Sequence, residues 1–146
     1  MKTCLPAGLK MTRKFGLDNK ALFLLNARHE FGHSFVNSLL ERADVSALIN
    51  KHTELFTPAL QKVMGDQNYG TWWDCVAEHL VRLGEIRIAE RSRDSSLAMK
   101  LRVEYIDNKK FIFLPDLERK IKEYVSSKKY KSFFSFLPEL IGVFQE

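Results

Sequence analysis

The stretch Arg28-His29-Glu30-Phe31-Gly32-His33 decides how this chain of 146 residues is read. Two histidines stand four residues apart, with a glutamate directly after the first. From Asp18 to about Arg42, apolar residues recur at helical spacing, and Leu22, Leu25, Val36 and Leu40 share a stripe with His29 and His33. A second row, Leu24, Ala27, Phe31, Phe35 and Leu39, predicts a helix buried on more than one face. Asp18 is the expected N-cap. On a helix, positions four apart lie about 40° apart around the axis and about 6 Å along it, so both imidazoles can aim at one point. Zinc takes histidine nitrogens at ~2.0–2.1 Å, and Glu30 on the adjacent face is placed to serve as general base toward a water. The competing reading is a pair of core histidines. Two imidazoles and a carboxylate in an apolar stripe are costly unless hydrogen-bonded or bound to metal, which favours the metal reading.

A catalytic zinc site needs a third protein ligand. The extended metzincin pattern requires glycine at 36 and histidine at 39, where this chain has Val36 and Leu39, so that class is excluded. His52 and His79 would complete a three-histidine set but fit no familiar spacing. Asp74 closes Gly70-Thr71-Trp72-Trp73-Asp74, which resembles the G-T-x-x-D element of aspzincins, although Cys75-Val76-Ala77-Glu78 follows where that family has Tyr-Gly. Glu78 lies 45 residues beyond His33 on the next long helix. It resembles the gluzincin arrangement, in which a glutamate from a following helix completes a His-His-Glu set. Glu78 is favoured, with Asp74 the alternative. Against both stands the reading of Asp74, Glu78, Arg82 and Glu85 as a solvated charged stripe.

Working outward, the rest of the chain predicts a mainly α domain. Residues 1–17 read as an irregular lead-in. Ala43 to Thr57 reads as a short helix and a loop. Thr57-Pro58 then resembles an N-cap followed by proline at the first helical position, with a stop near Gly65. A turn runs to Gly70, and Thr71 can cap a long helix to about Arg93 with Trp73, Ala77, Leu80, Gly84 and Ile88 on its apolar face. Residues 95–114 fit two patterns. Met99, Leu101, Val103 and Tyr105 alternate with charged residues as one strand of a short hairpin would, whereas Asp94 before two serines is a helix-cap signal. Pro115 opens a helix to about Ser126, and Ser132 caps a last one holding Phe133, Phe136, Leu137, Leu140 and Ile141. Trp72 and Trp73 are expected to pack the helix.

Composition fits a single globular domain over 1–146, with 45% hydrophobic and 28% charged residues. The longest apolar run, Ala21 to Leu25, has five residues, far short of the ~20 that span a membrane. No signal peptide is visible, which implies a cytoplasmic chain as written. Cys4 and Cys75 read as free thiols. Between Lys109 and Lys131, eight basic residues face three acidic ones, which accounts for the whole net charge of +5. Phe111, Phe113, Tyr124 and Tyr130 are interleaved there, as nucleic-acid binding by stacking would use, although helical spacing favours them as core and the lysines as a solvated face.

The segments His29-Glu30-Phe31-Gly32-His33-Ser34-Phe35-Val36-Asn37, Glu78-His79-Leu80-Val81-Arg82 and Phe111-Ile112-Phe113-Leu114-Pro115 occur in this order, and Phe133-Phe134-Ser135-Phe136-Leu137-Pro138 follows. Together they resemble a bacterial domain-of-unknown-function family of gluzincin-like zinc metallopeptidases, over about residues 18–142. The resemblance implies a zincin-like helical subdomain, His29, His33 and Glu78 as zinc ligands, Glu30 as catalytic base, a peptide substrate, and helix over 95–107. Ser38 replaces the proline that family members carry after the asparagine, which lets the helix continue. Members also extend further at the N-terminus, often with an export signal, and in gluzincins the upstream portion supplies a substrate-binding sheet. By this comparison the chain lacks that sheet, and an exported protein is implied if an N-terminal segment is missing. Around the site, Asn37, Asp74 and Arg82 are candidates to orient ligands, and Tyr69, His79 and Tyr105 to stabilise an oxyanion. The expectation is a zinc peptidase. The alternative is a non-catalytic helical module, either a degenerate peptidase or a binder of an acidic partner through 109–131.

Overall fold

Four of the helices start where a side chain closes off a free backbone amide. In the computed structural model, which describes residues 20–145, the first helix, α1, runs Lys20–Leu40. The Asp18 cap, the 1–17 lead-in and Cys4 lie outside the described residues. Ser38 bonds back to the Ser34 carbonyl at 3.0 Å, and α1 continues past it. After α2 (Ala43–Asn50) and a short 3-10 turn, the Thr57 side chain accepts the Leu60 amide and starts α3, Pro58–Gly65. Thr71 and Asp74 form a reciprocal capping box at the start of α4, Trp72–Arg91. Asp94 caps α5, Ser95–Arg102, by accepting from the Leu97 amide at 2.9 Å. Pro115 sits in the first turn of α6, Leu114–Ser126, and Ser132 caps α7, Phe133–Ile141.

Among the described residues there is no strand, and the protein is mainly α. The hairpin alternative for 95–114 is therefore overturned: α5 passes directly into a π-helical turn, Val103–Asn108. There the Lys109 amide reaches back five residues to the Glu104 carbonyl at 2.9 Å, and Lys110 has a positive φ of 60°. The apparent β alternation arises because Leu101 and Tyr105 face the core one turn apart while Met99 and Val103 are exposed.

α4 is the central element, and α1, α5 and α6 pack against it while α2 and α6 flank α7. Its predicted apolar face was too narrow. Ile88 is largely exposed, whereas Cys75, Val76, Val81, Leu83, Ile86 and Ala89 are buried, so the helix is covered on several sides. Trp72 packs as expected, donating its indole N–H to the Ile49 carbonyl at 2.9 Å with Phe144 edge-on at 5.8 Å. Cys75 is a buried free thiol. α1 departs from expectation in the other direction, since Phe31 is 77% and Phe35 61% exposed. These rings, with Leu24, Leu83, Ile88 and Leu137, line an open apolar groove of about 680 Å³. They lie well over 100° around the helix from His33, so one side of α1 carries the groove and the other the histidines.

No described helix is long and apolar enough to cross a membrane. The aromatic residues of 109–131 are engaged inside the fold. Phe111 is fully buried and Tyr124 stacks on Phe136 at 4.6 Å.

Candidate metal centre

α1 crosses α4 at Gly32, where an added Cβ would stand 3.0 Å from Cγ1 of Val81. The missing side chain lets the two backbones approach, and it brings the histidines on either side of it down onto α4. The two imidazoles meet edge-on, with centroids 4.6 Å apart. Their Nε2 atoms are 3.1 Å apart. Oε1 of Glu78 lies 2.7 Å from Nε2 of His33 and 3.9 Å from Nε2 of His29.

Tetrahedral zinc with bonds of ~2.0–2.1 Å separates its ligand atoms by about 3.4 Å. The three observed separations, 2.7, 3.1 and 3.9 Å, bracket that edge length. Three lone-pair-bearing atoms from two helices thus converge at the spacing of one face of a zinc tetrahedron, and His29, His33 and Glu78 form a metal-compatible cluster. Asp74 takes no part, because its carboxylate accepts the Thr71 amide at 3.2 Å in the capping box.

The surrounding charges are buried. Glu78, Arg82 and Glu85 are 3%, 5% and 2% exposed, so the solvated-stripe reading fails for all three. They share one face of α4 at spacings of four and three residues, and that face is turned inward. The Arg82 guanidinium lies between the carboxylates, 3.3 Å from Oε2 of Glu78 and 3.2 Å from Oε2 of Glu85. It also donates to the Tyr69 hydroxyl at 3.2 Å and sits 4.8 Å over the Tyr105 ring. Burial pushes the Glu78 carboxyl up, but the His33 hydrogen bond and Arg82 outweigh it and hold it below the usual range. Glu85 is likewise raised by burial and lowered further by His29 and Arg82. The Glu78 hydrogen bond, helped by the charges of Glu78 and Glu30, holds His33 above its ordinary value against burial.

Two buried carboxylates against one guanidinium leave a negative charge that a bound cation offsets. Oε2 of Glu78, Oε1 of Glu85, Nδ1 of His29 and Nε of Arg82 are buried without a hydrogen bond of good geometry. These orphaned groups surround the three converging atoms, and the residues present fit a zinc ion.

Glu85 is the site residue that sequence reasoning missed. Its Oε1 stands 3.4 Å from Nδ1 of His29. A carboxylate beside Nδ1 favours a proton there and leaves the Nε2 lone pair free for a metal. Its signal was the α4 spacing it shares with Glu78 and Arg82.

The other candidates divide clearly. Glu30 is exposed on α1 and close enough for its charge to act on His33. Tyr69 is half-buried, its hydroxyl pushed up to about 12 by burial and then by Glu78. Tyr105 is buried and donates to Oε2 of Glu85 at 2.7 Å. Asn37 is exposed one turn beyond His33. His79 faces away from the cluster. It is fully buried among Phe111, Phe113 and Phe144, with Nδ1 2.7 Å from the Cys75 carbonyl and Nε2 accepting the Phe113 amide at 3.4 Å. Burial drives its pKa down to about 4, so it is a neutral core residue. His52 pairs with Glu54 at 3.1 Å outside the cluster.

The chain belongs to the DUF4932 family, a domain of unknown function, whose profile matches residues 13–143. No curated protein and no solved structure matches the chain significantly.

Proposed function

We propose that this protein is a zinc-dependent peptidase of the gluzincin type. The observation that carries the reading is the convergence of Nε2 of His29, Nε2 of His33 and Oε1 of Glu78, with separations of 2.7 to 3.9 Å. His29 and His33 from α1 and Glu78 from α4 would hold the ion. A bound zinc supplies Lewis acidity toward a peptide carbonyl and makes water acidic near neutral pH.

The chain's own groups supply the remaining chemistry. Glu30, exposed beside the histidines, takes the proton of the attacking water and returns it to the departing amine. Arg82 keeps Glu78 ionised and aimed by ion-pairing with the oxygen that faces away from His33. The Tyr69 hydroxyl, which accepts from Arg82 and lies against the Glu78 carboxylate, is the nearest phenol to the ion site and the candidate donor to the negative charge that develops on the scissile carbonyl oxygen.

Metal analysis and peptide hydrolysis test this together. One zinc per chain is expected, lost in His29→Ala and His33→Ala. Glu30→Gln is expected to keep the metal and to lose at least a hundredfold in turnover, the scale of a positioned general base. Failure of the wild-type chain to bind zinc would refute the proposal.

A further inference from the structure

Tyr105 lies in the π-helical turn Val103–Asn108 that follows α5, one turn beyond Leu101. Its side chain, 3% exposed, is set against the buried face of α4, where its hydroxyl meets Glu85. Turns of this kind are frequent at functional sites.

We propose that Tyr105 is a positioning residue of the metal centre, acting through Glu85 on His29. This rests on the zinc reading above. Tyr105 donates to Oε2 of Glu85 at 2.7 Å, and Nη1 of Arg82 reaches the same oxygen at 3.2 Å. With two donors on Oε2, the carboxylate is pinned and Oε1 is left facing Nδ1 of His29 at 3.4 Å. That separation is long for a hydrogen bond, and both atoms are buried with no better partner. Oε1 therefore has one task, to hold the His29 ring by its Nδ1 edge and keep Nε2 turned toward His33 and Glu78. Arg82 alone would leave the Glu85 carboxylate with one anchor, and a buried acid on one anchor can rotate. Tyr105 cannot meet substrate directly, because its hydroxyl lies behind Glu85 and the ring is covered by Phe111 at 6.1 Å and Arg82 at 4.8 Å.

The test is zinc affinity of the full chain, measured by chelator competition, for wild type, Tyr105→Phe, Glu85→Gln and the double variant. Tyr105→Phe keeps the ring and its packing, and Glu85→Gln keeps the shape of the second group. Loss of an outer partner of a zinc-binding histidine weakens the metal by about 10- to 100-fold. Each single variant is expected to lose about tenfold, with the double losing little more than either, since both act through one contact. The cobalt-substituted Tyr105→Phe chain should show a shifted visible absorption band, which a purely structural tyrosine would not produce. Unchanged zinc affinity in Tyr105→Phe, or losses that multiply in the double variant, would overturn the role of Tyr105 while leaving the zinc site standing. Failure of the wild type to bind zinc would overturn both.

Discussion

Gly32 and Val81 mark the point where the helix bearing the histidines rests on the helix bearing Glu78, with 3.0 Å between an ideal Cβ on Gly32 and Cγ1 of Val81. This contact sets how closely α1 approaches α4 beside the three converging atoms. A valine at position 32 adds two methyl groups beyond that Cβ and must push α1 outward. Overpacking of this kind costs about 1–3 kcal/mol. Gly32→Val is expected to lower the thermal midpoint and to weaken zinc at least tenfold by chelator competition. Adding Val81→Ala should recover much of both losses.

Zinc should also stabilise the fold by binding the native state alone. At a free concentration 100 times its Kd, the gain is about 2.7 kcal/mol. Urea unfolding with and without excess zinc checks this, and EDTA should reverse the effect. His33→Ala should show no zinc-dependent shift, since its Nε2 is 2.7 Å from the Glu78 oxygen with which it would share the ion.

Among the described residues, Arg82 is the one arginine or lysine ion-paired with both Glu78 and Glu85. Arg82→Met fills similar space but leaves two buried carboxylates uncompensated. Breaking a buried pair from one side costs about 3–5 kcal/mol, and urea denaturation of the metal-free protein should show a loss of this order.

His79 adjoins Glu78 in sequence but belongs to a different part of the molecule. His79→Ala empties the space among Phe111, Phe113 and Phe144 and strips the Phe113 amide of its acceptor. A loss of about 2–4 kcal/mol in unfolding free energy is expected. Zinc affinity of the folded variant should stay within about threefold of wild type, because no cluster atom bonds to this ring.

The helix starts were legible because capping is local chemistry. Thr57, Thr71, Asp94 and Ser132 each accept a backbone amide three residues on, and that relation needs no tertiary context. The convergence of His29, His33 and Glu78 was also within reach, since the first two share a helix face and only the third had to be chosen among carboxylates. Glu85 was not, because a charged residue three or four places from others of mixed sign looks the same whether its face meets water or protein. The π-helical turn was hidden for a related reason: Leu101 and Tyr105 turned inward, with Met99 and Val103 exposed, write the same alternation of apolar and charged residues as a strand. The exposure of Phe31 and Phe35 reverses the usual inference from an apolar row. Periodicity shows that a helix has such a side, and nothing in the local sequence shows what lies against it.

The crossing at Gly32 also makes the centre compact in sequence. Two windows, 29–33 and 78–85, hold the three converging atoms, the candidate base, the guanidinium and the outer carboxylate, and only Tyr69 and Tyr105 come from elsewhere. Such a unit is transplantable in principle. A pair of helices with a glycine at the crossing and these two windows in register would carry nearly the whole arrangement into a foreign scaffold. Within the native chain, an insertion or deletion of one residue inside either window would scatter it.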